Sequence, residues 1–509
     1  MKATKSRRDF FESIFETKTR KVTAGLEVYQ NPLTLSDAYH LLRRTCIVLD
    51  HNYAKSLVGK TAEAAVDEII NNTKSKGQPS PPSFWNDVFP DPKLDSNGAS
   101  SNDGKWRSQN YDLQLWWIKL MMADRNSLSE RLAFFWHGHF TSQYNICNLI
   151  PAQLMYRQNK LFRTNELGNF TSFLKDITLD GAMLLYLNGN ENISEAPNEN
   201  YARELLELFS IGVGNYSEKD IREAARVLTG WKINYFKNEE KAYDPIFRSG
   251  YYDTKDKLVF GKTFTVGYEL SEQNVRQNAI NALMDTIASK KGKEMATFIA
   301  NKFYKQFVYS KPNPTDKALI QALADQFQAS NFEIQPLLRS ILVSAHFYDK
   351  QNRGIQIVSP VESVINFASH FDVGDERKNN VMKDLGIELF APPNVAGWPG
   401  YRSWITTKTL PLSIQYFSDF LSNQTEESVG NWAQQFDGFN DSYKITEQVA
   451  SLFLGRLPDE VRLEKLMNKM LGGAPYYEWP NLIQNKGNAG LRIKVLINEL
   501  IKTPEFYLR

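Results

Sequence analysis

Apolar side chains recur every three to four residues along most of this chain, the period of an amphipathic α-helix. Thr34-Leu35-Ser36-Asp37 has N-cap chemistry, and Leu41, Leu42, Cys46 and Ile47 follow at helical spacing. Residues 61–70 predict a second helix. From 108 to 136, Leu113, Trp116, Trp117, Leu120 and Met121 fall at i, i+3, i+4, i+7 and i+8, and Asn126-Ser127 precedes the segment that ends in His137-Gly138-His139. Residues 150–188 continue the pattern, with breaks at Gly168-Asn169 and Asp180-Gly181. Ser217-Glu218-Lys219-Asp220 reads as a capping box ahead of Ile221, Ala224, Ala225 and Leu228. Helical periodicity returns over 272–350 and again from about 415 to 509.

Three stretches break the period. Residues 73–106 carry Pro79, Pro81 and Pro82 and then a Ser/Asn/Asp/Gly run, which predicts a long surface loop or insertion. Residues 232–265 alternate and are rich in aromatics, predicting one small hairpin that turns at Asp253-Thr254-Lys255-Asp256. Residues 390–404, with Pro392, Pro393, Trp398, Pro399 and Trp404, predict a rigid aromatic loop. An echo joins residues 338–348 to 498–507, each an apolar helix followed by a small polar residue and an aromatic pair. The expected fold is mainly α: a multi-helix, bundle-like body with one small β-hairpin and a C-terminal helical lobe. Its expected divisions are a basic arm over 1–33, a main domain over 34–410 and the lobe over 411–509.

Charge narrows the function classes. Against 60 Lys and Arg stand 58 Asp and Glu, a net charge of +2, so electrostatics give no case for nucleic acid as the main partner. No apolar run approaches the roughly 20 residues of a bilayer span. Cys46 and Cys147 form no zinc spacing and read as two buried thiols, with a single bridge between them as the alternative. Ser6-Arg7-Arg8-Asp9-Phe10-Phe11 looks like a twin-arginine export motif, but the following Glu12–Lys18 is charged where an apolar segment is required. By its own sequence the chain reads as cytoplasmic. The alternative is periplasmic, through that motif or through co-export with a twin-arginine-exported partner.

Two stretches carry candidate chemistry. Six His occur in the chain, and two of them sit at His137-Gly138-His139 among Phe134, Phe135, Trp136 and Phe140. On a helix the two rings diverge by about 200°; a helix end at Gly138 would let them converge. The second stretch, Pro197 to Phe209, places Asn200, Arg203, Glu204 and Glu207 on one stripe flanked by large apolar residues. That pattern predicts a polar seam inside a bundle. A mixed set of His137, His139, Glu204 and Glu207 suits a divalent metal, Zn, Fe or Mn, with Glu199 as general base and Arg203 and Arg226 beside it. The same residues also fit a purely structural His–Glu–Arg network. A third reading is a non-catalytic binding or scaffold protein, in which Asn200, Trp231, Asn394, Trp398 and Trp404 line a groove for a glycan or a partner peptide. No Gly-x-Ser-x-Gly elbow, P-loop or complete Rossmann fingerprint is present.

Several of these segments together resemble the bacterial family grouped as domain of unknown function 1800. They are Asp37–Arg44, Glu130–Leu132 with Phe135–Phe140, Pro197–Asn200 with Leu206–Phe209, Glu223–Arg226 with Leu228–Trp231, and Pro393–Val395 with Gly397–Gly400. They run in the family's order through most of the chain. The resemblance implies no established activity, and it implies genes that neighbour those of exported twin-arginine proteins. The chain departs from the family at Tyr252-Asp253, where members often have His-Asp, so the resemblance assigns no ligand role to that position.

Overall fold

In a computed structural model of the chain, the described residues are 20, 22–85, 103–145, 150–234, 243–265 and 273–509. The expected architecture is present: helices dominate, and the described β-structure is two antiparallel two-stranded sheets. One contiguous hydrophobic core runs from Leu33 to Tyr507, with Trp117, Trp136 and Trp479 among its fully buried side chains. Among the described residues, no helix is long and apolar enough to cross a membrane. Ser6–Phe11 and Cys147 lie outside the described residues; Cys46 is a buried free thiol.

Capping chemistry sets the helix starts much as the sequence predicts. Thr34 and Asp37 form a reciprocal capping box on helix Leu35–Thr45, and Ser217 and Asp220 form another on helix Glu218–Val227. Asp180 caps helix Gly181–Tyr186 through Met183 N. Each cap satisfies a backbone N–H that has no intrahelical partner. The two echoed units share a local design. Helix Ile334–Leu342 is followed by the short aromatic helix Ala345–Tyr348, and helix Lys486–Ile501 by the 3-10 turn Pro504–Tyr507.

The 232–265 region departs from expectation. It holds two hairpins, not one: β1 (Trp231–Ile233) pairs with β2 (Pro245–Phe247), and β3 (Lys257–Val259) pairs with β4 (Lys262–Phe264). The second turns at Phe260-Gly261, both at positive φ (47° and 76°), as a two-residue type I′ turn requires. Asp253 does not make that turn because its carboxylate accepts from Arg226 Nε at 2.6 Å. Glu223 and Asp220, on the same helix as Arg226, accept from Leu258 N and Phe260 N, so the helix holds the hairpin by its backbone. Tyr252 takes a hydrogen bond from the buried Lys257 ammonium.

Candidate functional site

The histidine helix spans Ser129–His139 and stops at Phe140, so Gly138 and both imidazoles lie within it. Convergence at a helix end therefore does not occur, and the rings leave in different directions. His137 is fully buried among Trp117, Phe390 and Trp398, with ring centroids 5.5, 5.4 and 5.4 Å away. Neither of its ring nitrogens has a hydrogen-bond partner among the described residues. Burial pulls its pKa down to about 3, so the ring is neutral.

His139 faces another chain segment. After helix Glu199–Glu204 the backbone continues as a π-helical turn, Leu205–Ser210. Carbonyls in the last turn of a helix lack intrahelical donors. Here Phe209 O accepts from His139 Nε2 at 3.0 Å, and Leu208 O accepts from Lys302 Nζ at 3.2 Å. Lys302 Nζ also lies 2.7 Å from His139 Nδ1. A carbonyl only accepts, so His139 carries its proton on Nε2 and presents the Nδ1 lone pair to Lys302. Burial, with repulsion from Lys302, holds the imidazole well below its usual range and keeps it neutral.

Lys302 belongs to helix Gly292–Phe307. A helix C-terminus favours a cation near its carbonyls. Desolvation outweighs that effect, and with Lys305 nearby it lowers the Lys302 pKa to about 7. The amine therefore exchanges between charged and neutral forms near neutrality. The neutral form has two N–H groups, and two acceptors stand ready for them: His139 Nδ1 and Leu208 O. The lone pair then has no hydrogen-bond partner among the described residues.

Lys302 and His139 border a pocket of about 380 Å3. Trp398, Tyr401 and Trp404 form an aromatic side, while Lys305, Arg509 and Glu362 supply charge. The loop carrying the tryptophans is seated on the backbone of the histidine helix at one glycine, Gly397. Gly397 has φ +82°, and a Cβ there would lie 2.5 Å from Gly138 O. Backbone thus rests on backbone, and Trp398 stacks on Phe134 with centroids 5.6 Å apart.

The other anticipated residues stand apart from this pocket. Arg203 pairs with Glu199 and bidentately with Glu218, with side-chain exposures of 35, 37 and 67 %. That stripe is a half-exposed ion-pair face and not the enclosed polar seam expected, because Glu218 on the next helix draws the guanidinium outward. Glu207 accepts from Tyr216 Oη, and Glu204 is half-buried, its pKa raised by desolvation and by Glu207. Among the described residues, no three His, Cys, Asp or Glu side chains gather as a metal-ligand cluster, so His137, His139, Glu204 and Glu207 are not brought together. Asn200 is exposed, and Asn394 closes its own loop by accepting from Ala396 N. Trp231 is buried against Phe247 in the first hairpin, and Arg226 latches the second.

Lys302, Arg509 and Glu362 were not anticipated. Lys302 precedes Phe303 in an amphipathic helix, where a lysine ordinarily marks the solvated side. Its partner is 163 positions away, and no local spacing announces it.

No curated protein and no solved structure matches the chain. One family model does, described as a protein of unknown function (DUF1800), and it covers residues 40–508. The histidine helix, the π-helical turn, Lys302 and the Trp398 loop all fall inside that span. The chain therefore belongs to the DUF1800 family.

Proposed function

We propose that the protein is an enzyme in which the Lys302 amine acts as nucleophile on a carbonyl compound that also carries an acidic group. The observation that carries this reading is the two-acceptor cradle. His139 Nδ1 and Leu208 O take both N–H bonds of the neutral amine and leave its lone pair for a ligand. A pKa of about 7 makes that form abundant under ordinary conditions. In the first step the lone pair forms an N–C bond to the carbonyl carbon, the C=O π pair moves onto oxygen, and that oxygen takes up the proton that the attacking nitrogen releases. The carbinolamine then loses water and leaves an imine. His139 is too weak a base to drive this chemistry; it orients the amine. Lys305 and Arg509 supply positive charge for the acidic group, and Trp398 and Trp404 present flat apolar faces.

Trapping tests the reading. Purified protein is incubated with glyoxylate or another small 2-oxo acid, then with cyanoborohydride, which reduces only an imine. Peptide mass mapping should find the adduct at Lys302 ahead of other lysines, and Lys302→Met should lose it. Adducts spread over surface lysines, with Lys302 unmodified, would refute the amine chemistry. The aromatic side of the pocket also favours a second reading, reversible binding without turnover. Ligand capture unchanged in Lys302→Met would select it.

A further inference from the structure

A second, smaller cavity lies where the histidine helix meets helix Pro360–Ala368 and the C-terminal residues. It encloses about 50 Å3, and Arg43, Arg131, Arg509 and Glu362 contribute to its wall beside Phe367 and Phe453. Space of that size holds one small ion or a few waters.

The charges in this wall do not balance. Glu362 is the carboxylate among the lining residues. One of its oxygens is already committed: Oε2 accepts from Ser359 N, closing the capping box at the start of its helix. The other oxygen, Oε1, is shared by the guanidinium groups of both Arg131 and Arg509. Arg43 donates to the carbonyls of Ser451 and Leu452 and has no described carboxylate partner. Arg44 stands behind the cavity, fully buried, on the backbone oxygens of Asn352 and Arg509. The Nε atoms of Arg44, Arg131 and Arg509 and Nη1 of Arg44 are buried with no hydrogen-bond partner among the described residues. Desolvation weighs against charge on all four guanidinium groups. An arginine does not shed its proton in a protein, so the relief has to come from a counter-charge.

We propose that this cavity is an anion site that holds one small inorganic anion, a halide or a compact oxyanion, against the wall formed by Arg43, Arg131 and Arg509. Burial of the guanidinium groups strengthens the attraction, and their buried Nε donors offer hydrogen bonds that Glu362 leaves unmade. Arg509 and Glu362 also border the larger pocket, whereas Arg131 borders only this cavity, so an effect of Arg131→Met separates this site from the Lys302 chemistry.

The full chain is dialysed into gluconate, an anion too large for the cavity, and melted against chloride, bromide, nitrate, sulfate and phosphate at constant ionic strength. The expected result is saturable stabilisation by the small anions, with at least a tenfold loss of apparent affinity in Arg131→Met and Arg509→Met. Selective response to chloride and bromide identifies a halide site; selective response to sulfate or phosphate identifies an oxyanion site. Identical melting in gluconate and in every small anion overturns the proposal. If the variants do not fold, bromide-soaked crystals of the unaltered protein decide alone: an anomalous peak within reach of both guanidinium groups supports the site, and water density there refutes it.

Discussion

Lys302 Nζ lies 2.7 Å from His139 Nδ1, and His139 in turn gives its Nε2 proton to Phe209 O. The imidazole is thus a fixed acceptor, held in one tautomer from behind. His139→Phe keeps the ring volume and removes both bonds. It should cost about 1–3 kcal/mol, because it leaves the buried Phe209 carbonyl and one Lys302 N–H unmatched. Urea unfolding measures the loss; a variant as stable as the parent would show that the contact is energetically idle.

Reaction of Lys302 with an aldehyde or an acylating reagent should rise with pH and level off above about 8, with its midpoint near 7. Surface lysines as a class follow a curve centred near about 10.4. Residue-resolved mass spectrometry after brief labelling at several pH values separates the two curves. A Lys302 profile that overlays the surface class would mean that the amine is not desolvated in solution.

The seat of the aromatic loop can be tested with a matched pair of glycines. Gly397 and Gly374 share nearly the same φ, +82° and +81°, but a Cβ meets Gly138 O at Gly397 and open space at Gly374. Gly374→Ala should cost only the backbone strain, about 1–2 kcal/mol. Gly397→Ala adds a clash between two backbones and should cost about 1–3 kcal/mol more, with a change in Trp398 fluorescence. Equal losses in chemical denaturation would show that the loop does not rest on the histidine helix.

Glu166 is a buried acid whose Oε1 accepts from Ser129 Oγ while Oε2 has no hydrogen-bond partner among the described residues. Desolvation raises its pKa to about 8, against about 4.3 in an unfolded chain. Between those values the folded state holds a proton that the unfolded state has released. Its stabilising contribution is therefore complete below about 4.3 and is lost as pH rises toward 8. Glu166→Gln should remove that slope and gain on the order of 5 kcal/mol relative to the parent at about pH 8. Parallel stability–pH curves for the two proteins would rule this out.

The periodic features were legible from residues alone because their causes are local. Helix spacing, the Thr34–Asp37 and Ser217–Asp220 boxes and the break at Asp180 depend on neighbours within one turn. What was hidden depends on distant partners. Asp253 reads as a turn residue until Arg226 is placed beside it, and the second hairpin then turns at Phe260-Gly261. The two histidines stand out in the sequence by their spacing, but their directions follow from the helix continuing through Gly138. Arg203 looked available to a buried acid until Glu218, on the following helix, took both of its Nη atoms.

The π-helical turn over Leu205–Ser210 has a bearing on how this protein tolerates change in length. A π-turn corresponds to one residue more than an α-helix needs over the same rise. Deleting one residue there would relax the backbone into a more regular spiral and improve its intrinsic geometry. It would also swing the carbonyls of Leu208 and Phe209 about 100° around the axis, away from the amine and the imidazole they now receive. The surplus residue acts as a spacer, and a chain lacking it would be expected to fold while losing the alignment of Lys302.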